Sequence, residues 1–269
     1  MAAQNTTPTR RRRLAVAGRI LILLMALAAL AAAVTVVART SGEPVGDSKT
    51  SVFARAGRAL TAAEVALRDR RYAANDSRGA GEPDSIRWVD RTDSSLVVIV
   101  APHAVNHHRE GEPKPADLYT GAIAETLANR IGASVLTTTG EVSDWHEKWS
   151  SRDDDFTAVL DSLSDDAVII DLHGMSDTSS PEHISIGTAK DSSGGSIELA
   201  ERIADSFGGR AEINGTFPAD SSYTVTRHMQ ERGHDALQIE MSFTLRDPAE
   251  LDVGYTVDAL TDALADARG

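Results

Sequence analysis

The chain has 269 residues, enough for one α/β domain with a substantial core plus an N-terminal extension, and its 25% charged and 41% hydrophobic residues are those of a folded protein. Residues 1–39 hold six arginines and no acid, which leaves 21 Lys and Arg against all 40 Asp and Glu in the rest, a balance that repels nucleic-acid phosphates. Cysteine is absent, which excludes disulfides, thiolate ligands and a cysteine nucleophile; any metal site must draw on His, Asp and Glu.

Residues 1–13 end in the basic block Arg10–Arg13 and are expected on the cytoplasmic side. Residues 14–38 read as a transmembrane anchor or signal sequence. The nineteen residues from Ile20 to Ala38 carry no charge, and about 20 helical residues cross a hydrocarbon core. Five arginines precede the span and Arg39 follows it, which favours a single pass with the C-terminal domain outside. The alternative is secretion after cleavage near Ala31–Ala33 or Ala38. Residues 39–85 read as a linker, an Ala- and Arg-rich stalk helix over 51–74, and a second loop.

The catalytic domain is expected over 86–269. Leu96–Val100, Ala133–Thr138, Ala167–Leu172, Ile184–Gly187 and Ala236–Met241 read as strands. Helical periods run over Asp117–Ile131, 153–163, Ser196–Phe207 and Tyr255–Ala267. This alternation predicts an α/β fold with a mixed, mostly parallel sheet flanked by helices.

Ligands of such sheets bind beyond the carboxyl ends of the strands. There the sequence places His103, Asn106, His107, His108 and Arg109 after the first apolar run, Asp171-Leu172-His173-Gly174 at the second, and Gln238-Ile239-Glu240-Met241-Ser242 at the third. A catalytic zinc takes about three N/O ligands and keeps one position open. His103 and His173 supply two candidates, and Asp117 or His107 the third. Glu240 is the candidate general base. A histidine after a strand is commonly a turn or capping residue, and Asp117 also suits the first turn of a helix; the grouping of four histidines at strand ends favours the metal reading.

These segments, from about Val97 to Arg246, resemble the N-formylglutamate amidohydrolase-like family of zinc-dependent hydrolases. The wider group of similar folds includes poly-γ-glutamate hydrolases, zinc carboxypeptidases and zinc-dependent N-acetylmuramoyl-alanine amidases. The stretch Ala101–Gly111, then Lys114-Pro115-Ala116-Asp117, Asp171–Gly174 and Leu237–Ser242 carry the resemblance. It implies a zinc carboxypeptidase-like fold, one zinc ion per chain on His103 and His173, and Glu240 as the catalytic glutamate. The relatives' middle ligand is a glutamate three or five residues after the first histidine, where Asn106 and His108 stand here, or an acid near the next helix, which Asp117 resembles. Substrates of these relatives carry carboxylates, for which Arg246 and Arg109 are candidates and Arg227 a weaker one.

The expectation is an exported or membrane-anchored amidohydrolase or peptidase. Its substrate would be a small molecule or peptide bearing a carboxylate: an N-acyl amino acid, a γ-glutamyl compound or a cell-wall peptide. The alternative is an inactive ligand-binding module on the same fold.

Overall fold

A computed structural model describes residues 45–109, 111–143, 149–179 and 183–265. The basic segment, the expected span over 14–38 and His146 lie outside the described residues. Among the described residues no helix is long and apolar enough to cross a membrane.

Residues 55–269 form one compact unit. Its centre is a seven-stranded mixed sheet of β1 (Ile86–Val89), β2 (Val97–Ala101), β5 (Ser134–Thr138), β6 (Val168–Gly174), β7 (Ile184–Gly187), β8 (Ala211–Ile213) and β9 (Asp235–Met241). The spatial order is β1-β5-β2-β6-β9-β7-β8. The inner four strands β5, β2, β6 and β9 are parallel, while β1 and β7 run antiparallel to their inner neighbours. The apolar runs Val97–Ala101 and Ile169–Ile170 are fully buried because helices cover both faces of these strands, and so they read as unbroken hydrophobic stretches rather than alternating ones.

Helices α2 (Thr120–Ile131), α4 (Gly194–Ser206) and α7 (Asp252–Leu264) pack on one face and on one another. On the other face lie α3 (Asp155–Asp161), α5 (Val225–Glu231) and the short turn Trp149–Ser151. A small hairpin of β3 (His107–Arg109) and β4 (Glu112–Lys114) projects after β2, and the four-residue α6 (Phe243–Arg246) follows β9. Strands β1, β3, β4 and β8, with α5 and α6, were not expected from periodicity. Each has three to seven residues, too short to show a period.

The segment expected to be a stalk begins as α1 (Val45–Asp69). From Arg55 onward it belongs to the compact unit, and Ala62, Val65 and Tyr72 are core residues. Gly121 permits this docking, since a β-carbon there would meet the Tyr72 ring at 2.6 Å. Glu125, buried on α2, takes ion pairs from Arg68 (3.1 Å), Arg71 (3.3 Å) and Arg87 (3.3 Å), and accepts a 2.6 Å hydrogen bond from the Tyr72 hydroxyl. One buried acid thus ties α1, the following turn and β1 to α2. Glu125→Ala should cost about 3 kcal/mol, near the low end for a broken buried pair because the arginines remain partly hydrated. Denaturant melts of the variant check this; a loss below the scatter of surface substitutions would contradict it.

Candidate metal centre

Four side chains come together where β2, β6 and β9 end. β6 and β9 pair in register, with Asp171 opposite Gln238 and His173 opposite Glu240. Side chains alternate along a strand, so Asp171 and His173 share a face, and the paired Gln238 and Glu240 point the same way. That face is the one covered by α5, where Thr226 donates to Asp171, and it carries a row of buried acidic, amide and imidazole groups.

His103 reaches the row from the turn after β2. The backbone N–H of Asp117 donates to the His103 carbonyl (2.8 Å), which folds the 103–117 loop back on itself. Asp117 was expected at the start of α2, but it lies ahead of the helix. The N-cap position belongs to Tyr119, in the left-handed region at φ 73°, and no side chain caps that end. Freed from capping, the Asp117 carboxylate turns to the histidines. Its Oδ2 lies 3.5 Å from Nδ1 of His103 and 3.3 Å from Nδ1 of His173.

Two nitrogens and one carboxylate oxygen therefore face a common point, all within 4.8 Å of one another. Ligand atoms on a tetrahedral zinc with bonds of about 2.0–2.1 Å stand about 3.3–3.4 Å apart. The two separations from Asp117 Oδ2, 3.5 Å to His103 and 3.3 Å to His173, are close to that edge length, and the His/His/Asp set suits zinc chemically. These residues fit the ion.

Of the two expected third candidates, Asp117 belongs to the group of close ligand atoms and His107 does not. His107 stacks flat on His103, with ring centroids 4.2 Å apart, and stands behind it rather than among the converging atoms. It is buried, and its Nδ1 has no hydrogen-bond partner among the described residues. Burial first, then the neighbouring His103, press its pKa down to about 3. Asn106 is used in the scaffold: its side chain donates to the Asp76 carbonyl (2.8 Å) and accepts from Ala116 N–H (2.9 Å). His108 sits on the β3–β4 hairpin, and its N–H donates to the Val142 carbonyl (3.0 Å).

Burial and hydrogen bonding oppose each other in the cluster. For Asp117, burial favours the neutral acid, but hydrogen bonds and charge from His103 and His173 outweigh it and hold the carboxyl well below its usual range. Burial lowers His103. Burial also opposes charge on His173, yet Asp171 and Asp117 raise it well above an ordinary histidine. Glu240 is pushed up to about 7, first by burial, with Asp117 and Asp171 adding to the rise and His173 offsetting part of it. Its Oε1 accepts from the Gln238 amide at 3.0 Å.

Asp171 is a residue beside the site to which the sequence reading gave no role. It is fully buried, its Oδ1 lies 3.0 Å from Nε2 of His173, and its Oδ2 accepts from the Thr226 hydroxyl at 3.3 Å. A carboxylate on the far nitrogen of a metal-binding histidine fixes the ring and raises its basicity. The signal was its position two residues before His173 in a strand, which puts both on one face. Asp171→Asn should weaken zinc affinity about 10–100-fold. Competition with a chelator measures this, and unchanged affinity would remove Asp171 from the site.

The cluster forms part of the wall of a cavity of about 450 Å³. Pro102, Trp149, Phe217, Tyr223 and Val225 give it an apolar side, and Ser176, Ser179, Ser221 and Thr224 line it with hydroxyls. Arg109 is on its wall. Arg246 is not: it is buried behind Gly174, where a β-carbon would come within 2.4 Å of its Nε, and its Nη2 donates to the Met175 carbonyl at 3.2 Å. Of the two expected carboxylate partners, Arg109 alone lines the cavity. Arg227 pairs with Glu231 on its own helix (3.1 Å).

No protein-family model matches this sequence, and no curated protein matches it. Solved structures do. A bacteriophage poly-γ-glutamate hydrolase is similar at 16% identity over 68% of this chain and 88% of its own, with a TM-score of 0.46. A gene product from Agrobacterium tumefaciens is similar at 14% identity over 69% of this chain and 96% of its own, with a TM-score of 0.47. An N-formylglutamate amidohydrolase from Ralstonia eutropha is similar at 15% identity over 67% of this chain and 97% of its own, with a TM-score of 0.44. At these values the likeness assigns neither residues nor substrate.

Proposed function

We propose that this chain is a zinc-dependent hydrolase of an amide bond near a carboxylate. The observation that carries the reading is the grouping of His103, Asp117 and His173, with ligand atoms within 4.8 Å of one another and both histidine Nδ1 atoms close to Asp117 Oδ2, in a cavity wall that Glu240 shares. When bound, zinc supplies Lewis acidity, polarising a carbonyl and making water nucleophilic near neutral pH. His103, His173 and Asp117 would hold one ion per chain, with Asp171 orienting His173.

Glu240 handles the proton. As a carboxylate it accepts one from the attacking water and passes it to the nitrogen of the leaving amine. Burial raises its proton affinity toward neutrality, which suits a group that must both take and give a proton. Gln238 holds one of its oxygens, so the other is left for that exchange. Arg109 is placed to hold the substrate carboxylate, and the apolar side of the cavity to take the acyl or side-chain portion.

Residues 14–38 are read as a membrane anchor that places this domain outside, with secretion after cleavage as the alternative. An outside location favours cell-wall peptides and γ-glutamyl polymers over small cytoplasmic N-acyl amino acids. The discriminating experiment is amine release, followed by mass spectrometry, from N-acyl amino acids, γ-glutamyl peptides and peptidoglycan stem peptides. Turnover of any of these by the zinc-loaded protein supports the reading. Binding of one without turnover would assign the chain as an inactive binding module.

The pH dependence has a definite sign. Glu240 must be ionised to act, so kcat/KM should fall as pH drops through its pKa. Without metal that carboxyl is pushed up to about 7, and a bound cation adds positive charge that draws the inflection lower. A pH–rate profile with no acid limb would contradict the assignment.

A further inference from the structure

Helix α1 presents a second apolar face. Thr61, Ala62 and Val65 are buried against the domain. With 3.6 residues per turn, Ala56, Ala59, Leu60, Ala63, Ala66 and Leu67 fall on the opposite side. Leu60 is 63% exposed and Leu67 64% exposed. The four alanines add small apolar surface between them, and no charged residue interrupts the stripe. A helix that has already docked one side on its own domain has no folding reason to keep the other side apolar.

Two features indicate what covers it. Arg55 and Arg70 bracket the stripe, one near each end, and neither makes an ion pair among the described residues. Over residues 55–71 there are five arginines against two acids, whereas residues 72–269 hold 15 Lys and Arg against 36 Asp and Glu. Residues 55–71 are thus a basic segment of an acidic protein; Arg58, Arg68 and Arg71 pair with Asp258, Glu64 and Glu125, which leaves Arg55 and Arg70 for the outer face. The uncharged stretch read as a membrane span ends at Ala38, and α1 begins at Val45. The connecting residues reach at most about 25 Å when fully extended.

We propose that the outer face of α1 lies on an anionic lipid surface, with Leu60 and Leu67 in the headgroup–acyl boundary and Arg55 and Arg70 on lipid phosphates. Apolar residues flanked by arginines that snorkel to the headgroups are what such a surface binds. A basic element beside anionic lipid adds electrostatic attraction. The inference rests on the membrane-anchored reading of residues 14–38 and not on the catalytic one.

The absence of cysteine makes the test direct. Ala63→Cys and, as a control on the exposed loop before β2, Ser94→Cys are each labelled with an environment-sensitive dye. The full chain is then reconstituted into vesicles of phosphatidylcholine with phosphatidylglycerol containing a doxyl-labelled lipid quencher. Vesicle-bound protein should show a blue shift and loss of emission from the dye at position 63 but not from the dye at position 94. Adding Leu60→Glu and Leu67→Glu should abolish the difference while leaving the melting temperature unchanged, since both leucines are exposed. Protein that floats with vesicles but shows no quenching at position 63 would overturn the inference and leave the anchor standing. Protein that fails to float would overturn both. Disulfide formation between two unlabelled chains of the Ala63→Cys variant, with no quenching, would assign the face to a second copy instead.

Discussion

Glu240→Gln is expected to lower kcat by about 10²–10⁴-fold while zinc content stays at the wild-type level. The substitution keeps the size of the side chain and its place on β9, opposite His173, but the amide cannot accept the proton of water. Glu240 is not among the three atoms that converge on the proposed ion, so binding should survive its loss. The variant should also lose the acid limb of the pH–rate profile. Two results would contradict the role: activity within a few-fold of wild type, or loss of zinc together with activity, which would make Glu240 a ligand. A gain in folded stability would fit the role, because the substitution removes an ionisable group from a buried, acid-rich place.

His173→Ala should abolish zinc binding and, with it, turnover. Both ring nitrogens of His173 face carboxylates: Asp117 at Nδ1 and Asp171 near Nε2. Removing the ring leaves two candidate ligands where a catalytic zinc uses about three. It also leaves Asp171, which is fully buried, facing a void with an uncompensated charge. The variant should therefore be less stable than wild type as well as metal-free. His107→Ala makes the informative comparison. That ring only stacks on His103, so its loss should loosen the site without emptying it. Full zinc occupancy in His173→Ala would show the ligand assignment to be wrong.

The parts that were legible in the sequence share a physical cause. β2, β6 and β9 are buried on both faces, so their residues form continuous apolar runs, and the polar residues that end them stand out. His103, His173 and Glu240 were visible for this reason. For the third ligand Asp117 was the first choice, from its place ahead of the next helix, and His107 the second, because spacing along the chain does not tell which side of a loop faces the site. The contact that decides between Asp117 and His107 is tertiary: the Asp117 N–H donates to the His103 carbonyl and turns the carboxylate inward. Asp171 was noted at its strand end but given no role, although its offset of two from His173 marks it as a neighbour on the same face. Arg246 was expected to meet substrate from its place after β9. It is buried against Gly174, close enough to Asp117 and Glu240 to feel both charges. The stalk reading went astray over α1 for a similar reason. Its alanines make a weak apolar pattern, and its docking depends on Gly121 and on Glu125, both far along the chain.

The central claim is that His103, Asp117 and His173 bind a zinc ion. Elemental analysis of the purified full chain after mild dialysis tests it most directly. The expected result is about one zinc per chain. Protein that holds no metal, even after zinc is offered at neutral pH, would contradict the claim.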